Sequence, residues 1–208
     1  MFYLFRLILF LLASIGIIFL RIKRRKASTL VILAILALAL LSLTVVFPPE
    51  NLFGGFESAE TALHYMEPNG KIQAVVEGED SCVIIFTTQN ERHFKERYLP
   101  KKGNAYCLPT AITTIPTTIK SDGEFFTLIH IRGTEDYYCS SIVEKEAGRI
   151  MITDKNDNPI DERNLAIVYQ DEERSFICVY KKGYSNNDYL KINGKEIIDV
   201  RGTVPVTP

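Results

Sequence analysis

Hydrophobic and polar positions divide the chain into two unlike parts. Over residues 1–47 apolar sequence is broken by charge only at Arg6 and in the run Arg21-Ile22-Lys23-Arg24-Arg25-Lys26. The stretch 27–47 has no charge, and Ser28, Thr29, Ser42 and Thr44 are its only hydroxyl residues. At about 1.5 Å rise per residue it matches a hydrocarbon core of about 30 Å, which predicts a transmembrane helix. Pro48-Pro49 then stops it, because proline lacks the N–H that a continuing helix needs. The stretch 1–20 predicts a weaker first span, with Arg6 near enough to the end to snorkel to the head groups. A re-entrant or interfacial helix is the alternative for that first stretch.

Beyond residue 47 the period changes. Residues 48–56 read as a short stalk, with Pro48-Pro49 followed by Gly54-Gly55. Ser58 is a natural N-cap, Glu60 suits the first turn, and Ala59, Ala62, Leu63 and Met66 recur at helical spacing. This short helix ends at Pro68-Asn69-Gly70 and must pack on something to persist. From Lys71 to Val200 the chain is rich in Val, Ile, Tyr, Phe and Thr. It predicts strands over 71–76, 82–88, 94–99, 106–114, 125–131, 137–143, 149–153, 165–169, 175–180 and 190–200, the last broken at Asn193-Gly194. Polar turns separate them at 89–91, 101–104, 121–123, 133–136, 154–158 and 171–173. In one strand Phe176, Cys178 and Tyr180 point one way, and Ser175, Ile177 and Val179 the other.

The predicted fold class is therefore membrane-anchored and mainly β. Two N-terminal transmembrane helices precede an antiparallel meander, as a sandwich or partly open barrel with one short helix. The expected organisation is a first span at 1–20, a basic loop at 21–26 and a second span at 27–47. A stalk at 48–56, a β-rich domain at 57–201 and a flexible tail at 202–208 complete it.

Charge fixes the orientation. Residues 1–47 hold six of the 24 Lys and Arg and no Asp or Glu, so they carry +6; the remainder, with 18 Lys and Arg against 25 Asp and Glu, carries −7. The cations Arg21, Lys23, Arg24, Arg25 and Lys26 fill the short loop, and such loops lie on the cytoplasmic side. The β domain is then expected outside, in a two-pass plasma-membrane protein. The loop is also expected to attract anionic lipid head groups. Retention of 27–47 as a span is expected over signal-peptide cleavage, since no A-x-A site comes after the run. The acidic domain argues against nucleic acid as a partner.

Candidate chemistry changes this picture little. Cys82, Cys107, Cys139 and Cys178 permit two disulfides in three connectivities; the alternative is four small buried hydrophobes. With 24, 31 and 38 residues between successive cysteines, no zinc-type pair exists. No metal and no cofactor are expected. His64, His93 and His130 are scattered and read as structural or surface residues. Asp154-Lys155-Asn156-Asp157-Asn158 begins like a calcium loop, but Pro159 and Leu165 stand where such a loop needs Gly and Glu, so a solvated turn is expected. Glu77-Gly78-Glu79-Asp80 reads as an acidic surface turn. Cys178, with His93 or His130 and Arg201, supplies the residue types used by membrane-anchored transpeptidases of the sortase type. The Thr-Leu-x-Thr-Cys signature of those enzymes is absent, since Arg174-Ser175-Phe176-Ile177 precedes Cys178.

The stretches Phe56-Glu57-Ser58-Ala59-Glu60-Thr61-Ala62 and Ala74-Val75-Val76-Glu77-Gly78-Glu79-Asp80-Ser81 carry one resemblance. With the two N-terminal spans, they resemble uncharacterised small membrane proteins of Gram-positive bacteria. The resemblance implies a plasma-membrane protein of a monoderm cell and brings no activity. The expected function is a non-enzymatic extracytoplasmic module for binding, sensing or service as an accessory subunit, with an envelope component or membrane protein as partner. The alternatives are a cysteine-dependent envelope enzyme built on Cys178 and a structural subunit that assembles through the hairpin.

Overall fold

A computed structural model describes residues 8, 11–12, 14–19, 31–35, 37–39, 42, 47–88, 93–121, 124–144, 152–154, 156–169, 174–183, 190–192 and 195–197. Among them no helix is long and apolar enough to cross a membrane, so the expected spans 1–20 and 27–47 are not found as such. The described residues of those stretches up to Ser42 are helical in pieces. The basic loop Arg21, Lys23, Arg24, Arg25 and Lys26 lies outside the described residues, as do the turns 89–91 and 171–173, most of 121–123 and the tail 202–208.

From Pro49 onward the chain is mainly antiparallel β. A 3-10 turn, Pro49–Phe53, leads to the helix α1, Ala59–Met66. Ser58 caps α1 as the sequence predicts: its Oγ accepts from Thr61 N at 3.1 Å, worth about 1 kcal/mol. Ala59, Ala62 and Leu63 are its buried face. The strands β1 (Lys71–Glu77), β2 (Ser81–Thr87), β3 (Lys95–Lys102) and β4 (Ala105–Tyr106) form a meander sheet. A five-stranded sheet has the order β5-β6-β7-β10-β9, from Thr114–Ser121, Glu124–Ile131, Asp136–Glu144, Arg174–Lys182 and Leu165–Tyr169. A small third sheet joins β8 (Ile152–Thr153), β11 (Leu190–Ile192) and β12 (Lys195–Ile197).

The layers follow from strand alternation. On β2, Val83 and Ile85 face the five-stranded sheet, whereas Cys82, Ile84 and Phe86 face α1. On β10, Phe176, Cys178 and Tyr180 join the core between the sheets, and Ile177 and Val179 join a core on the other face beneath Ile152 and Ile160. That is the division the sequence pattern predicts. Strands apolar on both faces belong in the middle of a layered structure, and both β2 and β10 are interior. The edge strands β1 and β9 touch, which makes the two sheets a half-open barrel.

Three expectations need correction. The strand expected over 106–114 is instead β4, an irregular link and then β5. Thr113 turns the link by accepting Thr110 N on its Oγ1 at 2.7 Å. Pro116 lies within β5, which is tolerable because β5 is an edge strand with one unpaired side. Secondly, β3 runs on through Pro100, whose carbonyl accepts Cys107 N at 2.7 Å on the side where a proline has no N–H to offer. Thirdly, the order is not a simple meander. β10 enters between β7 and β9, because its apolar faces both find cover there while the exposed Tyr169 stays on the rim.

The segment 48–56, read as a stalk, is held firmly to this body. Asn51 Nδ2 donates to Leu108 O at 2.9 Å and Asn51 Oδ1 accepts Leu108 N at 2.7 Å. Phe56 and Tyr106 exchange backbone hydrogen bonds at 2.8 Å each way. Tyr65 Oη donates to Glu50 Oε1 at 2.8 Å.

Candidate functional site

The polar centre of the domain lies where the β1–β2 turn meets the five-stranded sheet. Asp136, the first residue of β7, is completely buried. Its Oδ2 accepts Ser81 Oγ at 2.6 Å and Asp80 N at 2.9 Å, and its Oδ1 accepts Tyr180 Oη at 2.9 Å. Ser81 Oγ also bonds Tyr138 Oη at 2.9 Å, and Glu79 N donates to Tyr180 Oη at 3.2 Å. Burial raises the phenol pKa of Tyr138, and burial together with the neighbouring Asp136 carboxyl pushes Tyr180 up to about 12. Both therefore remain hydroxyl donors at neutral pH. Gly78 is required by close approach: a Cβ there would lie 2.6 Å from Asp136 Oδ2, 2.6 Å from Tyr138 Oη and 2.8 Å from Tyr180 Cε2.

The turn Glu77-Gly78-Glu79-Asp80, read from sequence as a solvated acidic turn, thus locks one sheet to the other. Two of its three carboxylates are also paired. Glu77 bonds Lys101, and Glu79 Oε2 lies 2.6 Å from Lys182 Nζ. Lys101 Nζ donates in addition to Gly78 O at 2.9 Å.

Beside this junction opens a cleft of about 670 Å³. One wall is Glu77, Gly78 and Glu79 with Tyr180, Lys181 and Lys182; the other is the segment from Asp154 to Asn164. That second wall is shaped by two side-chain-fixed turns. Asp154 Oδ1 accepts Asn156 N at 2.8 Å and Asn158 N at 2.9 Å, which spends on backbone donors the oxygens a calcium loop would offer. Asp161 meets Arg163 through Oδ2 and Nη2 at 2.8 Å. The Arg163 guanidinium holds the Asp161 carboxyl down to about 2. A carboxyl-detected NMR titration of the full chain is expected to give Asp161 that midpoint, and Arg163→Ala to return it toward about 4. The pair's favourable contribution is present above the ordinary carboxylate range and lost as pH falls through about 2; being fully exposed, it barely moves stability. Mixed charges already paired, over a rigid floor, suit a polar ligand with both donors and acceptors rather than a polyanion.

The residues singled out from sequence as reactive are not gathered here. All four cysteines are free, so the permitted disulfides are not formed. Cys139 is opposite Val179 and Cys178 opposite Ser140, which puts the two thiols on opposite faces of one sheet. Cys82 packs under α1, and Cys107 comes directly after β4. Burial pushes the Cys82 thiol up to about 12 and raises that of Cys178 well above its ordinary value, the reverse of what a nucleophile needs. A thiol reagent is expected to modify the partly exposed Cys107 and Cys139 in the folded chain, and Cys82 and Cys178 only on unfolding; peptide mapping reads the order. His130 stacks on Tyr137 at 4.5 Å, bonds Thr134 O at 2.9 Å and sits on the sheet face opposite Cys178. His64 is exposed on α1, 3.6 Å from Glu60. His93 is exposed before β3, and Arg201 lies outside the described residues.

A second interior carboxyl has no signature in the sequence. Glu96 Oε2 accepts Tyr98 Oη at 2.8 Å, while the buried Oε1 has no hydrogen-bond partner among the described residues. Burial raises the pKa of this carboxyl. A raised folded-state value means stability falls as pH climbs from the ordinary carboxylate range through that value. Glu96→Gln is expected to stabilise the chain at pH 7 and to flatten this slope, as read by urea unfolding across pH.

Asp136 itself had no signal in the sequence beyond its place in the turn 133–136. The stretch that packs on it, Val76 to Ser81, belongs to the segments that carry the resemblance to small Gram-positive membrane proteins, and the structure explains its composition without reference to any relative. No family model, curated protein or solved structure matches this chain.

Proposed function

We propose that this is a two-pass membrane protein whose β domain stands outside the cytoplasm and binds a polar envelope component in the cleft beside the Asp136 junction. The membrane part of the reading rests on the apolar stretches 1–20 and 27–47 with the basic loop between them. Of their described helical residues none is buried, and Leu12, Ile15, Ile18, Ile32, Ile35 and Leu38 are among the exposed ones. Large apolar side chains left exposed on helices are expected to face lipid. The loop cations Arg21, Lys23, Arg24, Arg25 and Lys26 would then meet anionic head groups on the inner face.

The observation that carries the binding reading is the cleft of about 670 Å³, lined by charged and apolar side chains beside the Asp136 junction. Against the enzyme alternative stand the buried, proton-holding thiols of Cys82 and Cys178 and the separation of Cys178 from His130. The test is a calorimetric titration of the full chain in nanodiscs with purified wall-derived glycan and peptide fragments. Saturable binding that weakens at least several-fold in Arg163→Glu supports the reading. A folded chain that binds none of them, or binds equally well with Arg163 reversed, counts against it.

A further inference from the structure

We infer that the end of the domain carrying Leu52 and Ile112 rests on the outer surface of the bilayer, with both side chains in the head-group zone. This inference rests on the membrane reading proposed for the chain and adds which surface of the domain faces lipid. Leu52 is 83 % exposed and Ile112 46 %, although each is held by an ordered turn. Leu52 belongs to the 3-10 turn Pro49–Phe53. Ile112 lies in the loop closed by Thr113 N donating to Thr110 O at 3.1 Å. The two turns are clamped together by the paired hydrogen bonds of Asn51 with the Leu108 backbone, at 2.9 and 2.7 Å. Two large aliphatic side chains are thus held outward on hydrogen-bonded turns that Asn51 and Leu108 join, at one end of the domain.

Continuity of the chain identifies what covers them. Phe47, 54 % exposed, closes the apolar stretch 27–47. From there Leu52 is at most about 13 Å away, two extended steps and three 3-10 steps of about 2 Å. The interfacial zone outside the hydrocarbon is itself about 5–7 Å deep on each side. The two turns that carry these side chains also hold little charge. Residues 108–113 contain none, and over 47–56 the single ionisable side chain is Glu50, whose Oε1 is occupied by Tyr65 Oη inside the domain.

The remainder of the domain then points away. Thr113 O accepts Arg132 N at 2.8 Å, beside the β6–β7 turn and Asp136. Tyr169 is opposite Ser175, which is opposite Val143 at the other end of β7. Seven residues of strand separate that end from the Asp136 end by roughly 23 Å along β7. Lys182 pairs with Asp136, so the cleft opens at the lipid-facing end, where a ligand carried at the membrane surface meets it directly.

The chain has no Trp, so single substitutions make clean probes. Leu52→Trp, Ile112→Trp, Tyr169→Trp and Ile35→Trp are each placed in the full chain, reconstituted into phosphatidylcholine–phosphatidylglycerol vesicles. Quenching by a lipid nitroxide near the top of the acyl chain is then measured. The expected result is quenching at positions 52 and 112 several-fold above position 169, with strong quenching at 35. Quenching at 35 with positions 52 and 112 no different from 169 overturns the docking inference and leaves the membrane anchor standing. No quenching at 35 overturns the anchor, and the docking with it.

Discussion

Replacing Asp136 by Ala lowers the unfolding free energy by about 3–5 kcal/mol, measured by urea denaturation of the full chain in mild detergent with tyrosine fluorescence as the signal. The side chain is completely buried and accepts three hydrogen bonds, two of them from strands of different sheets. Removing it strands Ser81 Oγ, Tyr180 Oη and Asp80 N in a space that water enters poorly. Each buried donor left without a partner costs about 1–3 kcal/mol; Ser81 recovers part of this through Tyr138 Oη, whereas Glu79 N, itself a donor to Tyr180 Oη, gives the Tyr180 hydroxyl nothing to donate to. Asp136→Asn costs less than Asp136→Ala but still more than about 1 kcal/mol, because the amide oxygen can keep Ser81 Oγ and Asp80 N while its NH2 faces Tyr180 Oη and deprives that hydroxyl of its acceptor. A loss under about 1 kcal/mol in both variants would mean that the junction does not hold the sheets together.

Gly78→Ala lowers stability by about 2–3 kcal/mol in the same assay. Its three close approaches, each under 3 Å, leave no place for a methyl group unless the turn lifts from Asp136. Lifting the turn breaks the bonds that Asp136→Ala also breaks. The double variant should therefore cost clearly less than the sum of the two single changes, a coupling expected of residues that share one network. Full additivity would show that the turn and the carboxyl act separately. Gly78→Ala should also weaken the ligand binding proposed for the neighbouring cleft, since Gly78 and Glu79 form part of its wall.

Local signals were legible in the sequence wherever the local pattern decides the structure. Ser58 announced a helix start, the alternation along 175–180 gave the two faces of β10, and the Gly133 and Asp154 turns lie where their residues require. Long-range pairing was not legible. Nothing near β10 says that it enters between β7 and β9, because that order depends on which rim tolerates an exposed Tyr169. Pro116 disguised β5, since a proline in a strand is acceptable only once the strand is known to be an edge. The candidate site was half legible. Its turn stood out by composition, but the charges suggested solvation, while the groups that matter are the glycine, one backbone N–H and a serine hydroxyl. Their partner, Asp136, is 55 residues from Ser81 in the chain and resembles any other turn aspartate until the sheets are assembled.

The outward placement proposed for the β domain is best tested with a membrane-impermeant maleimide on intact cells. Tyr169→Cys puts a thiol at a side chain 65 % exposed on a rim strand, and mass spectrometry assigns the label to that position apart from the native thiols. Labelling of intact cells to the same extent as permeabilised cells is the expected result. Labelling that appears only after permeabilisation would place the domain inside the cell and overturn both the orientation and the proposed envelope ligand.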